Sequence, residues 1–485
     1  MASKHRNDGV LLPEGHTGSS FFQQLLQTAV EQFPKVFHDV TIPEGKGFKK
    51  NYAETLVQFE AARVSSNQRS EIARFIVKQT QEQLMFRGHG FYGKFRDYMA
   101  QPTEPAAIET TVMQGQAGLI PSVPFRGQTY TGRTLSSLGQ LLLGEEKTTN
   151  RTAQALNWMS QYLKEHESGI DLRGQKFVIL GASAELAPTT MLLEAGASVL
   201  WVDLQAPDQI LAQSHKLAGE LHVAKEASNI LLEPNRIRAT IEAFAAGEPV
   251  NIGMFAYAAG ASQEWRLAAT MNGIIHRLDP ACVGSVSMLI SPTSAAVVQT
   301  EDRENSKRHE ARPPVWQALL RKLGQLKDSA CFEVSGIPIA RAIVPLQGLS
   351  YQAAQYVSKT LAAEAYATQG ITINGQAQPL RVSSNVAGIT KTRSLQHPVF
   401  QAAFLGAETF GVEIFEVPTT RPLSTTLMLY DLLQPAEDPA DRLASLFAKQ
   451  VHGGIYSRAY ALDPMIRIAT VMGLAQRPRL LLKMF

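Results

Sequence analysis

The chain has 485 residues, enough for more than one domain or for one large domain with additions. It is 45% hydrophobic and 18% charged with a formal net charge of +3, which excludes general disorder and a broad basic field for nucleic acid. The two cysteines, Cys282 and Cys331, cannot by themselves make a disulfide framework or a zinc site, and they suit a reducing compartment.

The opening "MASKHRNDGVLLPEG" carries charge and no apolar run, so no secretory leader is expected. No run of about 18 apolar residues predicts a transmembrane helix. The expected setting is cytoplasmic. Residues 1–168 read as a mostly helical region. "SSFFQQLLQTAVEQFPKVF" (19–37) follows a serine cap signal with apolar residues at helical spacing, and "SNQRSEIARFIVKQTQEQLMFR" (66–87) repeats the pattern. The segment 133–167 predicts two more helices, and the Pro- and Gly-rich segment 99–132 an irregular connection.

From 169 to 394 the texture changes. "KFVIL" (176–180), "SVLWVD" (198–203), "NILLE" (229–233), "NIGMFAYAAG" (251–260), "SVSMLIS" (285–291) and "ITING" (371–375) read as strands separated by helix-length segments. Alternating strands and helices predict crossover units around a parallel sheet buried on both faces. Residues 395–485 read as helical again, ending in the basic, apolar tail "QRPRLLLKMF", expected to pack on its own core or on a second subunit. The fold class expected is therefore α/β: a Rossmann-like doubly wound parallel sheet with large helical N-terminal and C-terminal additions.

"VILGASAELAP" (178–188) is the first turn to weigh. In a nucleotide-binding crossover unit, glycine lets the backbone approach a pyrophosphate and the helix start offers free amides. Gly181 holds the first glycine place, Ala182 and Ser183 are small, and Ala187 suits the third place. Glu185 intrudes, because its charge would repel a pyrophosphate unless it points to solvent or bonds a ribose. Asp203 ends the second strand, 22 residues after Gly181, where a carboxylate can accept from an adenosine ribose and repel a 2′-phosphate. That favours NAD over NADP.

On these residues, 174–390 resemble the short-chain dehydrogenase/reductase superfamily. "GQKFVILGASAELA" is similar to its opening strand and turn, "LLEAGASVLWVD" to its second unit and "FAYAAG" (255–260) to the end of its strand four. "SVSMLISPTS" (285–294) is similar to its serine-bearing strand five, and "LAAEAYATQGITINGQAQPLRV" (361–382) to its last long helix and strand six. The resemblance implies an NAD or NADP site on Gly181, Ala182, Ser183, Glu185, Leu186, Ala187, Asp203, Glu233, Ala259 and Gly260. It implies a small-molecule substrate with a carbonyl, alcohol or enoyl carbon.

The family's reaction needs a tyrosine as acid/base and a lysine one helical turn later, the Tyr-x-x-x-Lys signature. This chain has "QGLSYQAAQYVSKTLAAEAYATQG" (347–370) instead. Counting the family's usual distance back from Ile371 reaches Gln347 or Gly348, with the lysine slot on Tyr351 or Gln352. Two repairs stand open. Tyr356 and Lys359 share a helix face. Alternatively Tyr351 works with Lys359, as in variant enoyl reductases of longer spacing. On a regular α-helix that offset of eight means about 80° of rotation and about 12 Å of rise, too far to touch unless Tyr351 precedes the helix. Ser291 or Ser294 would supply the serine hydroxyl.

The segment 296–345 is an insertion, expected as a lid or specificity wall in which Arg308, His309 or Arg312 could meet an acidic substrate group. The helical additions would cover the site or build a homo-oligomer interface. A second class of reading is a pseudo-enzyme that keeps the fold as a scaffold for binding or assembly, favoured by the missing signature and by Glu185. A third has the same edge holding another ligand, such as an acyl-thioester.

Overall fold

The computed structural model describes residues 8–258, 260, 262–368, 370–373, 376–434 and 439–483. A short strand, Gly9–Leu11, which pairs antiparallel with Met85–Gly88, precedes three helices: α1 (Gly18–Gln32), α2 (Gly45–Val64) and α3 (Arg69–Gln83). Thr17 caps α1 reciprocally, its hydroxyl accepting from the Ser20 amide while the Ser20 hydroxyl accepts from the Thr17 amide.

The connection expected to be irregular contains a strand, β1 (Glu109–Val112), and a hairpin of Ser122–Phe125 with Gln128–Thr131. β1 belongs to the central sheet, so residues 1–168 are not simply a helical cap. The other strands of that sheet are β2 (Lys176–Leu180), β3 (Ser198–Val202), β4 (Glu220–Val223), β5 (Val250–Met254), β6 (Val283–Ile290) and β7 (Arg381–Val386). The spatial order is β7-β6-β5-β2-β3-β4-β1. Every pairing is parallel except β4 with β1, which is antiparallel.

Residues alternate across the sheet as a strand requires. Val178, Leu180, Leu200 and Val202 face a core shared with Phe21, Phe22, Leu56 and Ile274. Phe177, Ile179, Val199 and Trp201 face a second core with Leu156, Met159, Leu192 and Leu427. Apolar layers on both faces explain why these strands read as continuous apolar runs.

Two strands lie elsewhere than expected. "NILLE" (229–233) is a turn, because the Asn229 side-chain oxygen accepts from the amides of Leu231 and Leu232 at 3.1 Å and curls the backbone. The parallel strand is the preceding "ELHV", β4. The sheet does not use "ITING" either: Gly370–Ile373 pairs antiparallel with Gln376–Pro379 in a separate hairpin, and "RVSSNV", β7, takes the place beside β6. Residues 374–375 of that run lie outside the described residues.

The helices that frame the site are α4 (Thr189–Glu194), α5 (Pro234–Ala245), α6 (Gln263–Arg277) and α7 (349–368). The middle of α7, Tyr356–Leu361, is π-helical. Beyond the sheet, α8 (Pro398–Ala407), α9 (Val417–Leu433) and α10 (Leu462–Gln476) follow. α8 and α10 touch backbone to backbone: a Cβ on Gly406 would lie 1.9 Å from the Ala469 carbonyl oxygen, and one on Gly473 1.9 Å from that of Ala402. Among the described residues no helix is long and apolar enough to cross a membrane.

Candidate active site

A cavity of about 720 Å³ opens at the carboxyl ends of the parallel strands, with Gly181, Asp203, Met254, Ile290 and Ala387 on its wall. It spans the point where the strand order reverses, between β2 and β5, which is where open α/β sheets bind ligands.

One end is built by the loops after β2 and β3. Gly181 has φ of +91°, and a Cβ there would sit 2.1 Å from the Ala256 nitrogen, so only glycine fits against the end of β5. Asp203 clamps two loops: Oδ2 accepts from the Ser183 amide and Oδ1 from the Gln205 amide, both at 2.9 Å. Ser183, Glu185 and Leu186 line the cavity, whereas Ala182 and Ala187 are buried in the core. The turn does not run directly into a helix. Pro188 disfavours helical backbone at Ala187, and α4 begins only at Thr189 and spans six residues. The helix start expected beside Gly181 is therefore absent from that position.

Glu185 neither points freely to solvent nor reaches across the cavity alone. Its Oε2 accepts from the Arg393 amide at 2.9 Å, its Oε1 lies 3.6 Å from the Arg393 guanidinium, and its carbonyl accepts from Arg421 at 2.7 Å. This fastens the first turn to the segment after β7, whose residues Thr392, Arg393, Ser394 and Leu395 also line the cavity.

The other end gathers the polar group. Tyr351, Gln355 and Lys359 of α7 line it together with Ser291 and Thr293 from the loop after β6. Three α7 side chains stitch that loop in place. Gln352 donates to the Thr293 carbonyl at 2.8 Å, Gln355 accepts from the Ser291 amide at 3.1 Å, and Lys359 donates to the Leu289 carbonyl at 3.0 Å. The hydroxyls of Ser291 and Thr293 bond each other at 2.8 Å, and both act on the Tyr351 phenol beside them. Burial raises the Tyr351 pKa, Glu264 adds to the rise, and these two hydroxyls oppose it.

The π segment explains how residues eight apart both reach the cavity. Two α-turns take about 7.2 residues, and a π-turn admits one extra, so an offset of eight completes close to two turns. Tyr351 can stand inside the helix and still share a face with Lys359. Burial lowers the Lys359 pKa and Glu264 counters this.

The remaining sequence candidates separate from the cavity. Tyr356 is fully buried against α2, where its hydroxyl donates to Glu60 Oε2 at 2.5 Å. Ser294 is buried too, off the cavity wall, with no partner for its hydroxyl among the described residues. Glu233 holds the amides of Ser228 and Asn229 at 3.3 and 3.2 Å, so it shapes the loop after β4 without lining the cavity. Gly260, with φ of +99°, lies in the loop after β5 and is not on the wall. Ala259 lies outside the described residues.

The insertion is not a wall of this cavity: no described residue of 296–345 lines it. Several of its charged side chains are held within the chain. Arg308 and His309 bond Glu146 at 2.6 and 2.8 Å, and buried Asp302 bonds Ser457 at 2.6 Å and lies 3.1 Å from His452. Arg312 ends the helix Thr300–Ala311, exposed and away from the cavity. Sequence reasoning missed Thr293 as a partner of Tyr351, and also Gln355, Glu264 and Arg393. Thr293 was visible in "SPTS", but the other three come from separate segments that only the fold brings together.

Among the described residues no cluster of three His, Cys, Asp or Glu side chains could hold a metal ion. No protein-family model, curated protein or solved structure matches the chain.

Proposed function

We propose that the chain is an NAD(P)-dependent oxidoreductase of the Rossmann-like, short-chain dehydrogenase type, acting on a carbonyl, alcohol or enoyl carbon of a small molecule. The observation that carries this reading is one cavity joining Asp203 at one end to Tyr351, Ser291 and Lys359 at the other, across the switch point of the sheet. The strand order supports it too: counted from β2 and read from the β4 edge, the parallel strands run 3-2-1-4-5-6.

The donor set fits the cofactor. Each Asp203 oxygen accepts one amide and keeps capacity for a ribose hydroxyl, and its charge disfavours a 2′-phosphate, so NAD is preferred. A nicotinamide bound there would supply or accept the hydride. Tyr351, protonated because burial raises its pKa, gives its proton to the substrate oxygen. Ser291 and Thr293 hold the phenol and orient that oxygen. The Lys359 ammonium, brought onto the same face by the π segment, makes the phenolate attainable. The test is binding followed by turnover. Titrating NADH and NADPH should give fluorescence enhancement and raise Tm, more so with NADH. No response to either cofactor would overturn the reading.

One observation favours the scaffold alternative. The Glu185–Arg393 contact places a carboxylate in the turn where a pyrophosphate would lie. If the protein is a scaffold, Tyr351→Phe and wild type behave alike in every assay and neither cofactor binds.

A further inference from the structure

One buried charge on the cavity wall has no counter-charge. Arg266, near the start of α6, is only 7% exposed and yet lines the cavity. Its Nε donates to the Val10 carbonyl at 2.5 Å and its Nη2 to the Asp8 carbonyl at 3.1 Å. The Val10 amide in turn donates to the carbonyl of Leu231, which sets Arg266 beside the loop after β4. No carboxylate pairs with Arg266 among the described residues, and burial is what acts on its pKa, lowering it. Arg63, also buried, is balanced instead by Glu60 and Glu364. A buried guanidinium faced only by carbonyl dipoles is costly, because they replace just part of its lost hydration.

The two bonds occupy the Nε edge of the guanidinium. Of its five N–H groups three remain, both on Nη1 and one on Nη2. Nη1 has no hydrogen-bond partner and is not among the atoms sealed in the core, so it opens on the cavity that Arg266 lines. These N–H groups make up the end of the fork, an edge that can grip an oxyanion through two parallel bonds. The other cations on the wall are already engaged: Lys359 donates to the Leu289 carbonyl, and Arg393 lies beside Glu185.

We propose that Arg266 is the anion-binding residue of this cavity, gripping with the free end of its fork a carboxylate or phosphate of the molecule that fills it. The site itself stands apart from the oxidoreductase reading. Only the source of the oxyanion rests on that reading: a phosphate of the dinucleotide, or an acid group of the substrate.

The experiment is a thermal-shift titration with inorganic phosphate and with acetate at constant ionic strength, run beside NADH and NADPH binding by fluorescence, on wild type, R266K and R266Q. Millimolar phosphate should raise the wild-type Tm by about 2 °C, with a smaller rise in acetate. R266Q should lose both shifts, and R266K, which keeps the charge without the fork, should need about tenfold more phosphate. A phosphate response that R266Q retains, or none in wild type, overturns the proposal. So does a Tm that falls in R266Q by the same amount with and without phosphate, which would make Arg266 a tether for the first strand. If R266Q loses the phosphate response and also binds NADH about tenfold more weakly, the oxyanion is the cofactor's; if it loses that response and binds NADH as wild type does, the oxyanion is the substrate's. If wild type responds to phosphate through Arg266 and binds neither cofactor, the anion site stands and the oxidoreductase reading falls. Should R266Q fail to fold, R266K decides, since a phosphate midpoint equal to that of wild type overturns the two-bond grip.

Discussion

Tyr351 and Tyr356 sit five positions apart on one helix, and their surroundings give them opposite roles. Tyr351 lines the cavity beside the Ser291 and Thr293 hydroxyls, while Tyr356 bonds Glu60 in the core. Tyr351→Phe should leave Tm nearly unchanged and cut turnover about a hundredfold or more. Tyr356→Phe should cost about 1 kcal/mol of stability in urea denaturation and leave turnover alone. Gly181→Ala should be worse for stability than either, since the added methyl collides with Ala256 at a positive φ; a loss of about 2 kcal/mol is expected in the same assay. Asp203→Asn should speed hydrogen exchange at the Ser183 and Gln205 amides and erode the preference for NADH over NADPH.

At the scale of elements, α7 joins the N-terminal helices to the sheet through a buried ionic network. Arg69 grips Glu364 with two bonds of 2.9 Å, Arg63 lies 3.1 Å from it, and Arg63 in turn bonds Glu60 twice at 2.8 Å. Burial alone would raise the Glu364 carboxyl, but Arg63 and Arg69 outweigh it and hold it at about 2. A folded-state pKa below the unfolded value of about 4.3 means the stabilisation is complete above that pH and is lost as pH falls towards 2. By linkage it is worth about 3 kcal/mol. Glu364→Gln should cost a similar amount at pH 7, by leaving Arg63 short of a counter-charge, and should flatten the Tm profile between pH 5 and 2.

The same scale shows what was legible in the sequence. β2, β3 and β6 were readable to within two residues because their apolar runs are bounded by turns, whereas β5 was read six residues too long, since "FAYAAG" continues the apolar run past Met254. β4 was not, since Glu220 and His222 interrupt its apolar pattern while the Asn229 turn carries the more apolar "ILL". β7, "RVSSNV", hides behind polar residues that are nonetheless buried: Ser384 bonds the Leu446 carbonyl at 2.6 Å and Asn385 bonds Asp431 at 3.0 Å. Tyr351, Lys359 and Ser291 were legible as residue types. Their grouping was legible only as one of two alternatives, because on a regular α-helix an offset of eight separates Tyr351 from Lys359 and the one-residue widening of α7 shows in no periodicity.

For the whole molecule, the cavity is closed by elements far apart in sequence, the turn after β2 and the segment after β7 that Glu185 and Arg393 tie together. Glu185→Ala removes both carboxylate contacts to that segment and keeps only the bond from Arg421 to the residue-185 carbonyl, and should raise proteolytic nicking between 387 and 396 several-fold without lowering Tm. Entry of a cofactor-sized ligand should speed up in the same variant, checked by stopped-flow NADH fluorescence.

β1 carries a consequence of a different kind, in the order in which the chain is made. Glu109 must pair with Val223 and Val112 with Glu220, partners that leave the ribosome long afterwards. Pairing at that sequence separation is slow to form. Until β4 exists, β1 has no neighbour; once β4 exists without β1, the sheet has an open edge that invites other chains. A polypeptide started at residue 169 would expose that edge permanently, and light scattering should show it aggregating where the full chain does not. The first third of the sequence is thus the sheet's own stopper, synthesised before the opening it must close.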